Sequence, residues 1–162
     1  MSCQQQTPTQ GVRFTKISDD GRILPREATD WTVVHDALLQ LFWLRRSIRG
    51  KNHAACMKAA AKVSAAGLEG WRPPTRIEML SLVDETRHSP AIDVEFFPEC
   101  ESGWFWTSTP AAYSPSGYAW FVSFDNGDAY WCDQDHGGFV RAVRAGQLSD
   151  LGPGGLSSGE AA

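Results

Sequence analysis

The sequence predicts an α+β fold, with strands towards both ends of the chain and two helices between them. Three observations carry this. An alanine-rich stretch opens at His53 behind a capping asparagine, Asn52. Thr75-Arg76-Ile77-Glu78 has the Thr-x-x-Glu form of a capping box. Asn126-Gly127 stands between two aromatic segments as a hairpin turn. Strand signals, then helix signals, then strand signals again make an α+β order rather than an alternating α/β one.

In chain order, Val12 to Ile17 alternates as a strand and stops at the turn Asp19-Asp20-Gly21. Trp31 to His35, rich in β-branched residues, reads as a second strand. Ala37 to Arg46 is ambiguous, because Leu38, Leu39, Leu41, Phe42 and Leu44 fit a helix by spacing alone. His53 to Ala65 predicts a helix stopped by Gly67. Pro73-Pro74 ends the next segment, and from Thr75 a short helix with an apolar stripe of Ile77, Leu80 and Leu82-Val83 runs to about Asp84. Trp104 to Thr109, Tyr118 to Phe124 and Asp128 to Asp133 are strands, the last two forming the Asn126-Gly127 hairpin. A two-residue turn there sets Asp125 opposite Asp128, Ser123 opposite Tyr130 and Val122 opposite Trp131. Phe139 to Arg144 alternates as a closing strand.

The chain of 162 residues suits one domain. Residues 1–10 read as a polar flexible arm, 11–147 as the domain, and 148–162 as a Gly/Ser-rich tail. A net charge of −4 gives no basic footprint for nucleic acid. No segment approaches the roughly 20 apolar residues of a membrane span, so membrane insertion is not expected. The first residues lack the pattern of a secretory signal, which leaves a cytoplasmic protein or one that leaves the cell by lysis or on a particle. Seven tryptophans and eight phenylalanines are either core or displayed for a partner. Cys3, Cys56, Cys100 and Cys132 form no Cys-x-x-Cys pair. Buried reduced thiols are the plain reading, and a Cys100–Cys132 bridge the alternative outside the cell.

Gly70-Trp71-Arg72-Pro73-Pro74-Thr75-Arg76-Ile77-Glu78-Met79-Leu80-Ser81-Leu82-Val83-Asp84 resembles the G-W-R-L-P-T-R-x-E-L-x-S-L-V-D signature of a bacterial and phage domain family. That family includes the C-terminal domain of collagen-like bacterial adhesins. Pro90-Ala91-Ile92-Asp93, Phe97-Pro98, Trp106-Thr107-Ser108-Thr109 and Val140-Arg141-Ala142-Val143-Arg144 follow in the family's order. The resemblance covers roughly 11–147. It implies a C-type-lectin-like fold, two helices packed on antiparallel sheet with a C-terminal β-hairpin, related to formylglycine-generating enzymes and to variable phage receptor-binding proteins. It also implies that Trp31 to Arg46 is two short strands. Pro73 stands where the family usually has Leu. Ala142 stands where many members have a cysteine, which removes one disulfide.

Residues 111–118 and 128–138 mix Tyr, Trp, Ser, Gly and Asp, a composition used by paratopes. The candidate ligand-binding residues are Tyr113, Ser114, Ser116, Tyr118, Ser123, Asp125, Asn126, Asp128, Tyr130, Trp131, Asp133 and His136. Trp106, Trp120, Phe121, Val122 and Phe124 are assigned to the core, and Tyr113, Tyr118, Tyr130 and Trp131 to display. Calcium is weakly supported: Asp125, Asn126, Asp128, Asp133 and Asp135 crowd one end of the sheet on this reading, but a polar hairpin tip explains them as well. No other cofactor is expected. His35, His53, His88 and His136 sit singly, and Cys100 with Cys132 lacks the motifs of a copper pair, so no catalytic set is identified.

These readings converge on a non-catalytic module, phage- or prophage-encoded, virion-borne at a tail or as a decoration. It would contact a host surface glycan or protein, with neighbouring virion proteins or further copies of itself as partners. Its rivals are an intracellular interaction scaffold and, ranked last, a copper or redox enzyme.

Overall fold

The computed structural model describes residues 12–152. The arm at 1–10, Cys3 and most of the Gly/Ser tail lie outside the described residues. Over residues 12–152 the fold is α+β, with nine strands in two sheets, two α-helices and a 3-10 turn at Leu148–Leu151. Strands β1 (Phe14–Ile17), β2 (Val33–Asp36), β3 (Leu41–Leu44) and β9 (Val143–Ala145) make a four-stranded antiparallel sheet in that order. Strands β4 (Ile48–Gly50), β8 (Gly138–Val140), β5 (Trp104–Pro110), β6 (Tyr118–Ser123) and β7 (Ala129–Asp133) make the second, with one parallel bridge, Phe105 to Phe139, joining β5 to β8. Helices α1 (His53–Ala61) and α2 (Arg76–Leu80) stand in the chain between β4 and β5.

Two cores explain the arrangement. The first holds Ile17, Val33 and Phe42 from the small sheet, Cys56 and Ala60 from α1, and Trp106, Ala119 and Phe121 from the large one. The second takes the alternate residues, Val34, Leu41 and Trp43, with Met79 of α2 and Phe105, Val122 and Phe124. Successive strand residues point to opposite faces, so both sheets are covered on both sides. This is why Leu41-Phe42-Trp43-Leu44 reads as an apolar run with no alternation. The helix that its spacing allows is overturned in favour of a strand, paired with β2 on one side and β9 on the other.

Three further expectations are corrected. The first helix ends at Ala61 rather than Ala65. Its chain turns back through Ala66 (φ 55°) and Gly67 (φ 69°), and so buries Ala65, Ala66 and Leu68 in the first core. The second helix is one turn shorter than expected, and Ile77, assigned to its apolar stripe, is 74% exposed, while Met79 and Leu82 fill the core. Its capping box is present as read: Thr75 Oγ1 accepts from Glu78 N at 3.2 Å, and Glu78 Oε1 accepts from Thr75 N at 2.8 Å. Arg72 adds two 2.8 Å bonds to the same carboxylate. Phe139 to Arg144 is two strands, not one. β8 belongs to the large sheet and β9 to the small one, and the chain crosses between them at Arg141-Ala142.

Arg141 makes that crossing. Its side chain is fully buried, and one terminal nitrogen donates to the carbonyls of Leu44, at 2.9 Å, and Arg45. The guanidinium lies 4.7 Å from the centre of the Phe97 ring and 5.6 Å from that of Phe105. Burial lowers its pKa from the arginine value, and Cys100 beside it acts the other way. Two carbonyls thus take one terminal nitrogen and ring faces stand against the guanidinium, while Nε and the other terminal nitrogen have no hydrogen-bond partner among the described residues.

The described cysteines are all free. Cys100 belongs to the second core, whereas Cys132 packs against the first, so the two lie on opposite faces of the large sheet. Burial raises the Cys56 thiol to about 11 and raises that of Cys100 as well. Neither a Cys100–Cys132 bridge nor a copper pair fits this placement.

The variant Arg141→Leu is expected to lose about 2–4 kcal/mol of unfolding free energy in urea, because two inward carbonyls lose their donor. A loss within about 0.5 kcal/mol, the range of ordinary surface changes, would contradict the role given to the guanidinium. In a Cys3→Ser background, a disulfide reagent such as DTNB is expected to titrate Cys132 in the native state and Cys56 and Cys100 only on unfolding. Native labelling of either of those two at the rate of Cys132 would contradict the packing described.

Candidate functional site

The hairpin of β6 and β7 lies at one edge of the large sheet, and its register differs from the one expected. Tyr118 pairs with Asp133, Trp120 with Trp131, Phe121 with Tyr130 and Val122 with Ala129. The turn is four residues, 124–127, closed by Ser123 N to Asp128 O at 2.8 Å and Gly127 N to Ser123 O at 2.7 Å. Phe124, now in the turn, is fully buried and edge-on to Phe105 at 4.9 Å. The loop backbone is held by Ser89 N to Asp125 O at 2.8 Å and Ala91 N to Phe124 O at 2.6 Å. Gly127 closes the turn at φ 85°, where a side chain would also strike Val83.

Because the shift is two residues, each side chain keeps its face. Trp120 and Trp131 project on the α2 side, edge to face at 5.0 Å, and the Arg76 guanidinium lies 4.2 Å over the Trp120 ring. Trp120 is thus half-buried in a surface cluster, not core as expected. Arg76 is placed by its own amide, which donates to Thr109 Oγ1 at 2.9 Å. With Thr109, Ala112 and Tyr113 these residues line an open cavity of about 440 Å³.

On the α1 side Trp104 stacks on Phe121 at 4.4 Å, Phe121 meets Tyr130 at 5.8 Å, and His136 lies 6.4 Å from Trp104. Trp104 is also one wall of an open groove of about 780 Å³ that includes Arg49, Lys51 and Phe139. Gly138 lets the groove floor close, since a Cβ there would stand 3.0 Å from the Trp104 carbonyl. Tyr113, Trp131, Tyr130 and Trp104 are 83%, 52%, 48% and 42% exposed, an aromatic band that runs over the β6–β7 hairpin and, through Phe121, onto the first residue of β5.

The candidate residues therefore fall into groups. Tyr113, Tyr118, Trp131 and Asp133 cluster at one end of the hairpin: Tyr113 meets Tyr118 at 6.2 Å, and Tyr118 is paired with Asp133. Ser114 and Ser116 belong to the β5–β6 turn at this end, Ser114 half-buried and Ser116 exposed. Asp125, Asn126, Asp128 and Tyr130 gather at the other end. Asp128 accepts from Tyr130 Oη at 2.8 Å and from Asn126 Nδ2 at 3.1 Å, and Asp125 accepts from Ser89 Oγ at 2.6 Å. Ser123 is buried and faces the core, so it is removed from the ligand set. His136 is exposed beyond β7, its Nδ1 3.5 Å from Cys132 Sγ.

The acidic residues do not crowd one end as expected. Asp128 and Asp133 stand at opposite ends of β7, five strand steps of about 3.3 Å apart. Among the described residues no three His, Cys, Asp or Glu side chains are arranged to hold a metal ion.

Trp104, Trp120 and Arg76 are the site residues that sequence reasoning missed. Trp120 was legible from parity, since a hairpin whose turn has an even number of residues sets it on the same face as Trp131. Trp104 gives no such sign, because it shares a face with buried Trp106 and is exposed only by lying at the strand's first position.

Residues 32–144 match the model of the Lcl C-terminal domain family, and the chain belongs to that bacterial family. Membership points to an adhesin-like ligand-binding domain. No curated protein matches the chain. Among the described residues no helix is long and apolar enough to cross a membrane.

The bond to Asp128 raises the Tyr130 phenol above its ordinary value. In an ultraviolet titration, Asp128→Asn is expected to bring one of the three tyrosines down in pH, because the carboxylate that disfavours the phenolate is gone. An unchanged titration curve would show that the bond does not form in solution.

Proposed function

We propose, from membership of the Lcl C-terminal domain family, that this chain is a non-catalytic binding module and that the aromatic band around β6 and β7 is its recognition surface. The exposure of Tyr113, Tyr130 and Trp131 along the β6–β7 hairpin, with Trp104 of the neighbouring strand β5 joined to them through Phe121, carries the reading. Large aromatic faces left in water gain nothing for the folded monomer, and rigid aromatic area beside polar groups is what binding hot spots are made of. Asp128, Asn126, Asp133 and the Arg76 guanidinium supply adjoining hydrogen-bond partners. Rings of this kind receive either the C–H face of a sugar or an apolar side chain, so a host surface glycan or protein is the ligand class.

The finer form of the reading sets the module on a phage or prophage virion, facing the host. The likeness of its ordered motifs to bacterial and phage domains supports that setting. The C-type-lectin-like architecture belongs to the same likeness; two helices against an antiparallel-rich sheet with a C-terminal hairpin are in keeping with it.

Labelled protein is expected to bind intact host cells saturably, and the folded Tyr130→Ala, Trp131→Ala double variant to bind at least about tenfold more weakly, the loss of one modest hot spot. Equal binding by the variant would remove the band from the site. A chelator run alongside tests calcium: loss of binding in it would require a metal that the ligand completes.

A further inference from the structure

β7 is the outermost strand of the large sheet. Ser123 N bonds Asp128 O and Gln134 N bonds Gly117 O, and these two pairs fix the phase of the ladder between them. Bonded and non-bonded pairs alternate in an antiparallel ladder, so Ala129, Trp131 and Asp133, opposite Val122, Trp120 and Tyr118, turn their backbone groups away from β6. The Asp133 carbonyl is taken by His136 N at 3.3 Å. Among the described residues nothing is bonded to the N–H and C=O of Ala129 and Trp131 or to the N–H of Asp133.

Exposed edges in folded proteins are usually blunted by lysine, proline, a bulge or extreme shortness. β7 has none of these. It is Ala-Tyr-Trp-Cys-Asp, and its register with β6 is unbroken over all five residues. At the other edge, β4 is three residues long and carries Arg49. The outward backbone of β7 is thus an open template, with Trp131 on one side of it and Tyr130 on the other.

We infer that the outer edge of β7 is a strand-addition site for an extended segment of a partner protein with basic residues flanking an alternating apolar centre. The inference rests on the proposed binding function and narrows its ligand to a polypeptide. Five outward backbone groups give the register of an added strand. On the α2 side, an apolar side chain beside Trp131 enters the cavity between Trp131, Tyr113 and Ala112. Charge selects the flanks. Asp125 and Asp128 stand before the strand, Asp133 ends it and Asp135 follows, while the nearby cation, Arg76, lies over the Trp120 ring. Flanking Lys or Arg residues match both ends, and flanking Glu residues oppose them.

The test is amide hydrogen exchange on the full chain with the blocked hexapeptide Lys-Val-Thr-Val-Thr-Lys, its Glu-flanked counterpart, and the Lys peptide N-methylated at alternate residues in either phase. The expected result is slowed exchange at Ala129, Trp131 and Asp133 with the Lys peptide. Its affinity should exceed that of the Glu peptide about tenfold, as two weak surface charge pairs would give. One N-methylated phase should abolish binding and the other should not. The variant Ala129→Pro removes one outward donor without touching the β6 ladder, and should weaken the Lys peptide about tenfold while staying folded. No protection by the Lys peptide, or equal effects of the two N-methylated phases, would overturn the inference. Protection of the same amides without peptide, rising with protein concentration, would assign the edge to a second copy and overturn it too. If Ala129→Pro binds cells as the parent does while Tyr130→Ala, Trp131→Ala does not, strand addition fails and the recognition band stands. If both bind cells as the parent does, the band itself fails.

Discussion

The fold turns on one buried cation. Arg141 sits where the chain leaves the large sheet at Val140 and enters the small one at Val143, and its nitrogen holds the carbonyls of Leu44 and Arg45, where β3 ends. Without it, two carbonyls at the junction of two sheets would face ring carbons instead of a donor. Past the Trp43–Val143 pair the backbone adds one bond between the strands, Leu44 N to Ala142 O at 3.0 Å, and the carbonyls of Leu44 and Arg45 are left to Arg141. The Arg72–Val143 bridge, bonded both ways at 2.9 Å, then ties the segment before α2 to the same crossing. Through Arg72 and its paired bonds to Glu78 the order passes to the capping box and to α2, and Arg76 on that helix covers the Trp120 ring. A buried contact and the outer aromatic surface are linked by a short run of named bonds.

That chain of contacts explains why so many aromatic residues coexist with a displayed surface. The two cores use the inner part of the sheets completely, taking alternate residues of the same strands. At the β6–β7 hairpin, the outer edge of the large sheet, the same alternation sends Trp131 to one side and Tyr130 to the other. The polar groups of the tip bond to one another and to Ser89, which stiffens the hairpin and holds their remaining acceptor positions beside the exposed rings. A rigid edge with apolar faces loses little conformational freedom when a partner docks.

Much of this was legible in the residues. The capping box of Thr75 and Glu78, the Asn52 cap and the existence of the final hairpin follow from local chemistry, and the structure has them all. What failed was set by tertiary contact. Leu41 to Leu44 carries no alternation because both of its faces are buried, so spacing could not tell strand from helix. The hairpin closes two residues earlier than expected, in a turn whose Phe124 and Asp125 carbonyls are taken by Ala91 N and Ser89 N, contacts that no turn preference encodes. Val140 to Arg144 alternates evenly across a change of sheet, since Arg141 is buried by a junction that exists only after folding. Ser123 looked polar and available but faces inward, and Trp120 looked like core but reaches the surface.

The central claim is that the exposed rings of the hairpin edge, and not another apolar patch, meet the ligand. Leu38, Leu39 and Ile77 are the largest of the competing exposed aliphatic residues among those described, beside Val12 and Val94. Hydroxyl-radical footprinting of the whole chain, free and bound to intact host cells, compares them directly. The account predicts that Trp104, Tyr130 and Trp131 lose reactivity on binding while Leu38, Leu39 and Ile77 keep theirs. Protection of Leu38 and Leu39 with the three rings still reactive would contradict it.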